Sequence, residues 1–164
     1  MPNLSFAKLW NAYPSTSHSC TQNWPHQCSI RMSIALNHEG SITVQPSTYT
    51  EPTCRHGHAR GAESLANWLW RYHLGRPKIF NNGTQAKQAI AKNTGIIFFK
   101  DCFTRPNSTE RSGDHIDLWN RGITKGFSDP NNYASEVWFW KALERECSGN
   151  QIDSPEHRFQ ASTG

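Results

Sequence analysis

No apolar run in this 164-residue chain approaches the ~18 residues that a membrane-spanning helix needs. Insertion through such a helix is therefore excluded. The first residues, Met1-Pro2-Asn3-Leu4-Ser5-Phe6, lack a basic stretch followed by an apolar core, so no standard secretory signal is read in them. Charge is also scarce. Asp, Glu, Lys and Arg make up 18% of the residues, below the usual ~25%. There is no long run of Lys or Arg, and nothing signals sequence-independent binding of nucleic acid. The 5 cysteines (Cys20, Cys28, Cys54, Cys102 and Cys147) never stand in CxxC spacing, which argues against a four-cysteine zinc site. Their odd number leaves at least one thiol over if the others pair within the chain. Internal repeats and low-complexity tracts are lacking.

Aromatic residues are abundant, at 12% of the chain with 7 Trp and 8 Phe, and they supply the large buried areas of a folded core. The polarity comes mostly from Asn, Gln, Ser, Thr and His, a style that suits an extracellular or periplasmic workplace. The net charge of +4 favours contact with an anionic polymer: nucleic acid, anionic lipid or bacterial wall. The length fits one domain. It is expected over residues 1–147, with residues 148–164 as a loose polar tail.

Phe6, Leu9, Trp10 and Tyr13 recur at helical spacing, with Ser5 placed to cap. The segment CSIRMSIAL (28–36) is ambiguous. Its apolar residues alternate as in a strand but also pair at i,i+4 as in a helix. From Ala62, residues Leu65, Trp68, Leu69 and Tyr72 form a helical stripe that Gly75 and Pro77 should end. A short helix is expected over 84–92. The second half reads as sheet, with strands at GIIFFKD (95–101), DHIDLWN (114–120) and SEVWFWK (135–141). TRPNSTERSG (104–113) and KGFSDPNN (125–132) read as turns. Helices first and strands last predict an α+β fold, with helices packed on an antiparallel sheet.

Three places carry chemistry. Pro25 restricts the residue before it, so a helix can begin at about Gln27–Cys28. A cysteine there feels the positive end of the helix dipole, which favours the nucleophilic thiolate. The same position also suits a buried structural thiol or half of a disulfide. In HIDLW, His115, Asp117 and Trp119 share one strand face, opposite Ile116 and Leu118. A histidine there can be the base of a Cys–His pair, with Asp117 orienting its ring. An ordinary polar strand face has the same pattern. Cys54-Arg55-His56-Gly57-His58 offers metal ligands close together, but the spacing is not that of a zinc finger, and a plain exposed loop fits it too. Gln22, six residues before Cys28, can donate to an oxyanion or be a loop glutamine. Trp138, Phe139 and Trp140 suit core packing on both sheet faces better than a stacking platform for sugars or bases.

QCSIRMSIAL (27–36), followed by GDHIDLWN (113–120) and SEVWFW (135–140), resembles the type VI secretion amidase effectors, in particular their fourth family. These are small bacterial toxins similar to papain-like cell-wall peptidases. The match runs in order through residues ~5–140 and leaves the tail after Cys147 uncovered. The resemblance implies a papain-like fold in which CSIRMSIAL is the central helix. It implies Cys28 as nucleophile, His115 as base, and Gln22 and Trp119 among the substrate contacts. The substrate would be peptidoglycan, cut between the γ-carboxyl of D-glutamate and meso-diaminopimelate, with no metal or organic cofactor. The partners implied are the type VI apparatus, which delivers such toxins into the periplasm of a rival cell, and a cognate immunity protein that plugs the site.

One position departs from the family. Some members carry a third catalytic residue, Asp, about eleven residues after the histidine. Here that place falls near Lys125–Gly126, which has no carboxylate. Asp117 and Asp129 are the substitutes, and Asp117 is preferred because it shares a strand face with His115. Two other functions stay open. One is a non-enzymatic, aromatic-rich binding module, with metal at Cys54, His56 and His58. The other is a papain-like enzyme acting on protein, such as a deamidase.

Overall fold

The computed structural model describes residues 3–15, 20, 27–105, 107–126 and 134–143. Helix α1, Phe6–Ala12, starts at Ser5, whose side chain accepts the N–H of Lys8 as expected of a cap. The ambiguous segment is a helix, α2, Cys28–Glu39, closed by Gly40 at φ 94° with its N–H on the carbonyl of Leu36. Its alternation has a physical reason. Cys28, Ser29, Ile30, Met32, Ser33, Ala35 and Leu36 are all buried, so apolar residues sit on several sides and blur the period. Of the two buried serines, Ser33 is satisfied, since its Oγ donates to the carbonyl of Ser29 at 2.7 Å and accepts the N–H of Ala59 at 3.0 Å, while the Ser29 hydroxyl is buried without a partner among the described residues.

Helix α3, Ala62–Leu69, buries Leu65, Trp68 and Leu69 as the stripe predicts. The chain then widens into a π-helical turn, Trp70–Leu74, before Gly75 ends it. That turn rotates Tyr72 off the stripe and leaves it 71% exposed, against the expectation of a core position. Strand β1, Lys78–Phe80, follows, then α4, Gly83–Ile90, β2, Thr94–Thr104, β3, Arg111–Asn120, β4, Ile123–Thr124, and β5, Glu136–Lys141. The sequence reading missed β1 and β4, which are too short to show a period. It also ended β2 at residue 101, where a register shift lets the strand continue to Thr104.

The five strands form one antiparallel sheet in the order β1-β5-β2-β3-β4. On one face Ile96, Phe98, Ile116, Leu118, Trp138 and Trp140 pack against Leu9, Met32, Leu36, Leu65 and Leu69 of the first three helices. On the other, Ile97, Phe99, Trp119, Val137 and Phe139 pack against Ala86 and Ile90 of α4. Burial of both faces explains why GIIFF and VWFW read as continuous apolar runs. It also corrects the picture of a polar second face on β3. The fold is α+β as expected, with helices packed on an antiparallel sheet. No helix among the described residues is long and apolar enough to cross a membrane.

Candidate active site

Beyond β4's two residues, the outer edge of β3 meets the start of α2. Cys28, the first residue of that helix, lies buried there. It receives a hydrogen bond from the backbone of Ile116 and shares one with the His115 side chain. Burial pushes the thiol up, but the bond and charge of His115 and the Ile116 N–H together bring it below the ordinary thiol value. The start of a 12-residue helix adds a field of the same sign.

Burial also opposes the charge of His115. The hydrogen bond to Asp117, then the bond and charge of Cys28, win and raise the imidazole to about 10. His115 Nε2 lies 2.8 Å from Asp117 Oδ2, which leaves Nδ1 as the ring nitrogen for Cys28. The imidazole also stacks on Phe99, with ring planes 14° apart. These contacts fix both its position and its tilt.

Asp117 is fully buried. Besides His115, its Oδ1 accepts the N–H of Leu118 at 2.8 Å and that of Gly126 at 2.9 Å. The Gly126 N–H also reaches Oδ2 at 3.1 Å. A buried carboxylate persists when its lone pairs are met in this way. Gly126, near the place where the family pattern expects an Asp, thus holds Asp117 through its backbone. A Cβ at Gly126 would lie 2.5 Å from the Tyr13 hydroxyl, so the position has no room for a side chain.

The structure therefore brings Cys28, His115 and Asp117 together. Trp119 is not with them. It is 2% exposed, packs in the core under α4, and gives its indole N–H to the carbonyl of Ile90 at 2.9 Å. The expectation of a substrate contact there is corrected, because the second face of β3 is covered. Gln22 and Asp129 lie outside the described residues. Two residues near the site were missed. Tyr13, read as the end of the α1 stripe, is buried close enough to Asp117 and Cys28 that burial and then their charges raise its phenol well above 10, against the pull of Arg31. Arg31, on α2, reaches the carbonyl of Gly126 at 3.5 Å. No local sequence pattern separates either from an ordinary helix residue.

A family model described as type VI secretion system (T6SS), amidase effector protein 4 (Tae4), matches residues 24–140, a span that holds all three of these side chains. The chain belongs to the Tae4 family. Solved Tae4 structures share the fold. Tae4 of Salmonella typhimurium, crystallised with the immunity protein Tai4 of Enterobacter cloacae, aligns with a TM-score of 0.63 at 23% identity, over 85% of this chain and 99% of that one. Tae4 of Enterobacter cloacae aligns with a TM-score of 0.64 at 19% identity, over 87% and 100%. The Tae4–Tai4 complex of Enterobacter cloacae gives 0.63 at 19%, over 85% and 99%. At these identities the likeness is one of fold. No curated protein matches. Membership in the Tae4 family makes this chain a type VI secretion effector of the amidase class.

Proposed function

We propose that this Tae4 protein is a cysteine amidase that cuts peptidoglycan stem peptides at the γ-D-glutamyl–meso-diaminopimelate bond. The observation that carries the reading is the buried Cys28–His115–Asp117 chain at the start of α2, with the thiol lowered and the imidazole raised. The Cys28 thiolate attacks the amide carbonyl and forms a tetrahedral oxyanion. The backbone N–H of Cys28, in the first helical turn, is the donor for that oxygen, with Gln22 as a second. His115 gives its proton to the leaving amine, and an acyl-enzyme remains. The neutral imidazole then takes a proton from water, whose hydroxide releases the carboxylic acid and regenerates the thiolate. Asp117 holds the imidazole in the tautomer this requires.

The catalytic unit spans residues 1–147. The net charge of +4 favours approach to the anionic wall. In this reading the type VI machine delivers the protein to the periplasm of a rival cell. The producer is protected by an immunity protein that blocks the site, by analogy with the Tai4 partners of the related effectors.

The test is digestion of purified Gram-negative peptidoglycan by wild type and by Cys28→Ala, read by mass spectrometry of the muropeptides. Loss of intact stem peptides with wild type only is expected, and the fragment masses name the bond. Unchanged muropeptides with both proteins would remove peptidoglycan as the substrate and favour a protein substrate.

A further inference from the structure

The second group of chemically competent side chains lies behind α2, away from the catalytic chain. Cys54, His56 and His58 sit on one tight loop, and the fold brings Cys20 to it from 36 residues before His56. The Sγ atoms of Cys20 and Cys54 and a ring nitrogen of His56 lie within 4.8 Å of one another. Cys20 Sγ is 3.5 Å from His56 Nδ1. Cys54 Sγ is 3.8 Å from Nδ1 of the half-buried His58. In tetrahedral zinc, bonds of about 2.3 Å to sulfur and about 2.0–2.1 Å to nitrogen make an S···N edge of about 3.6 Å. Both contacts are close to that edge.

The loop is shaped for the task. Thr53 and Ala59 pair across its neck, Cys54 N–H bonds the carbonyl of His58 at 2.8 Å, and Gly57 N–H bonds the carbonyl of Cys54 at 2.9 Å. Gly57 turns at φ +81°. The backbone N–H groups of His56 and His58 point at Cys54 Sγ. Amide donors of this kind stabilise a metal-bound thiolate from outside the ligand set. Ile30 and Ile34 of α2 pack on the two sulfurs and keep one side dry, while the exposed His56 leaves an access path on the other.

We propose that Cys20, Cys54 and His56, the three donors already within 4.8 Å of one another, form a structural zinc site, with His58, which touches Cys54 but lies outside that group, moving in as fourth donor. Two thiolates and two imidazoles suit zinc and reject magnesium or calcium. The site takes no part in amide hydrolysis and stands independently of the proposed reaction. Its consequence is mechanical. Cys20 N–H is held by Gln27 Oε1 at 2.9 Å, and Gln27 is the residue before Cys28. A metal here staples the approach to the nucleophile to the loop that precedes α3.

The experiment titrates the full-length, reduced, metal-free chain with Co²⁺ as a spectroscopic probe, then with Zn²⁺. One equivalent of Co²⁺ should give the visible bands of a tetrahedral site and a thiolate-to-cobalt charge-transfer band, and Zn²⁺ should abolish both. Cys20→Ser and Cys54→Ser should lose the charge-transfer intensity in part, and the double variant entirely. His56→Ala should weaken binding by at least ~10-fold. Cys28→Ser should bind as wild type does. Circular dichroism of each variant separates lost ligands from lost fold, and the wild-type titration stands without them. The proposal is overturned if the reduced wild-type chain binds no stoichiometric Co²⁺. It is equally overturned if the bands survive in the double Cys20/Cys54 variant, or if they vanish in Cys28→Ser. A Cys20–Cys54 disulfide peptide in a non-reduced digest of the purified protein would replace the metal with a covalent link.

Discussion

Cys28 and Cys102 are both buried, one heading a helix packed on the sheet and the other on a strand of it, yet their chemistry runs in opposite directions. Cys102 sits on β2 among apolar side chains of the α4 face. Burial, and then the charge of Asp114, push its thiol up to about 12. Cys28 is also penalised by burial but has His115 beside it, the N–H of Ile116 on its sulfur and a helix start beneath it, and its thiol is lowered. Burial alone makes a cysteine inert. A buried imidazole that is itself held by a carboxylate shifts the same side chain toward its thiolate.

The comparison is broken most sharply by deleting each thiol. Cys28→Ala should lower hydrolysis of a stem-peptide substrate by at least ~10⁴-fold, as removal of a nucleophile does in other triads. Cys102→Ala should keep kcat/KM near that of wild type and show its effect in melting temperature, through loss of a small buried group worth about 1 kcal/mol. Equal loss in both variants would mean that the distinction between the two sites is wrong.

Asp117→Asn comes next. The amide keeps the shape but removes the charge that raises His115, so kcat/KM should fall by roughly 10²–10⁴-fold. The imidazole pKa of His115, followed by its NMR titration, should fall from about 10 toward the ordinary histidine value. An unchanged titration would show that Asp117 does not tune the pair.

The pH profile of wild type sharpens the contrast further. In the proposed reaction the Cys28 thiolate attacks, so activity should fall about tenfold per pH unit below the lowered thiol value, an acid limb beneath the ordinary ~8.5. It also needs the proton on His115, so it should fall as pH rises through about 10. Iodoacetamide below pH 8 should modify Cys28 and spare Cys102 in the folded protein. A profile still rising at pH 10 would contradict a thiolate–imidazolium pair.

The smallest effect is expected at Gly126. A methyl group there meets the Tyr13 hydroxyl and should push the 126 backbone off Asp117, with a loss of about tenfold in kcat/KM. Adding Tyr13→Phe to Gly126→Ala should restore part of it by removing the clashing oxygen. No recovery would place the damage elsewhere on the backbone.

Much of this was legible along the chain. Ser5 as a cap, Gly75 as a stop, the stripe through Leu65, Trp68 and Leu69, and the apolar runs of β2 and β5 are local signals of propensity and period, and they set the α+β order. The spacing of His115 and Asp117 on one strand face was also visible. The orientation of the histidine was not, since it depends on Phe99 from a neighbouring strand and Gly126 from a later turn. The ambiguity of 28–36 arose because a helix surrounded by core loses its amphipathic stripe.

The sequence by itself determined the longer elements other than 28–36, that Cys28 can head a helix, and that a Cys-x-His-x-His loop exists. Only the tertiary structure decided that β3 is buried on both faces, which puts Trp119 in the core and makes Asp117 a buried partner of His115. It also decided that Cys20 joins the Cys54 loop. Local pattern reports conformation over a few residues. The state of a thiol or a carboxylate is set by groups far apart in sequence, which the packing of sheet and helices brings within a few ångströms.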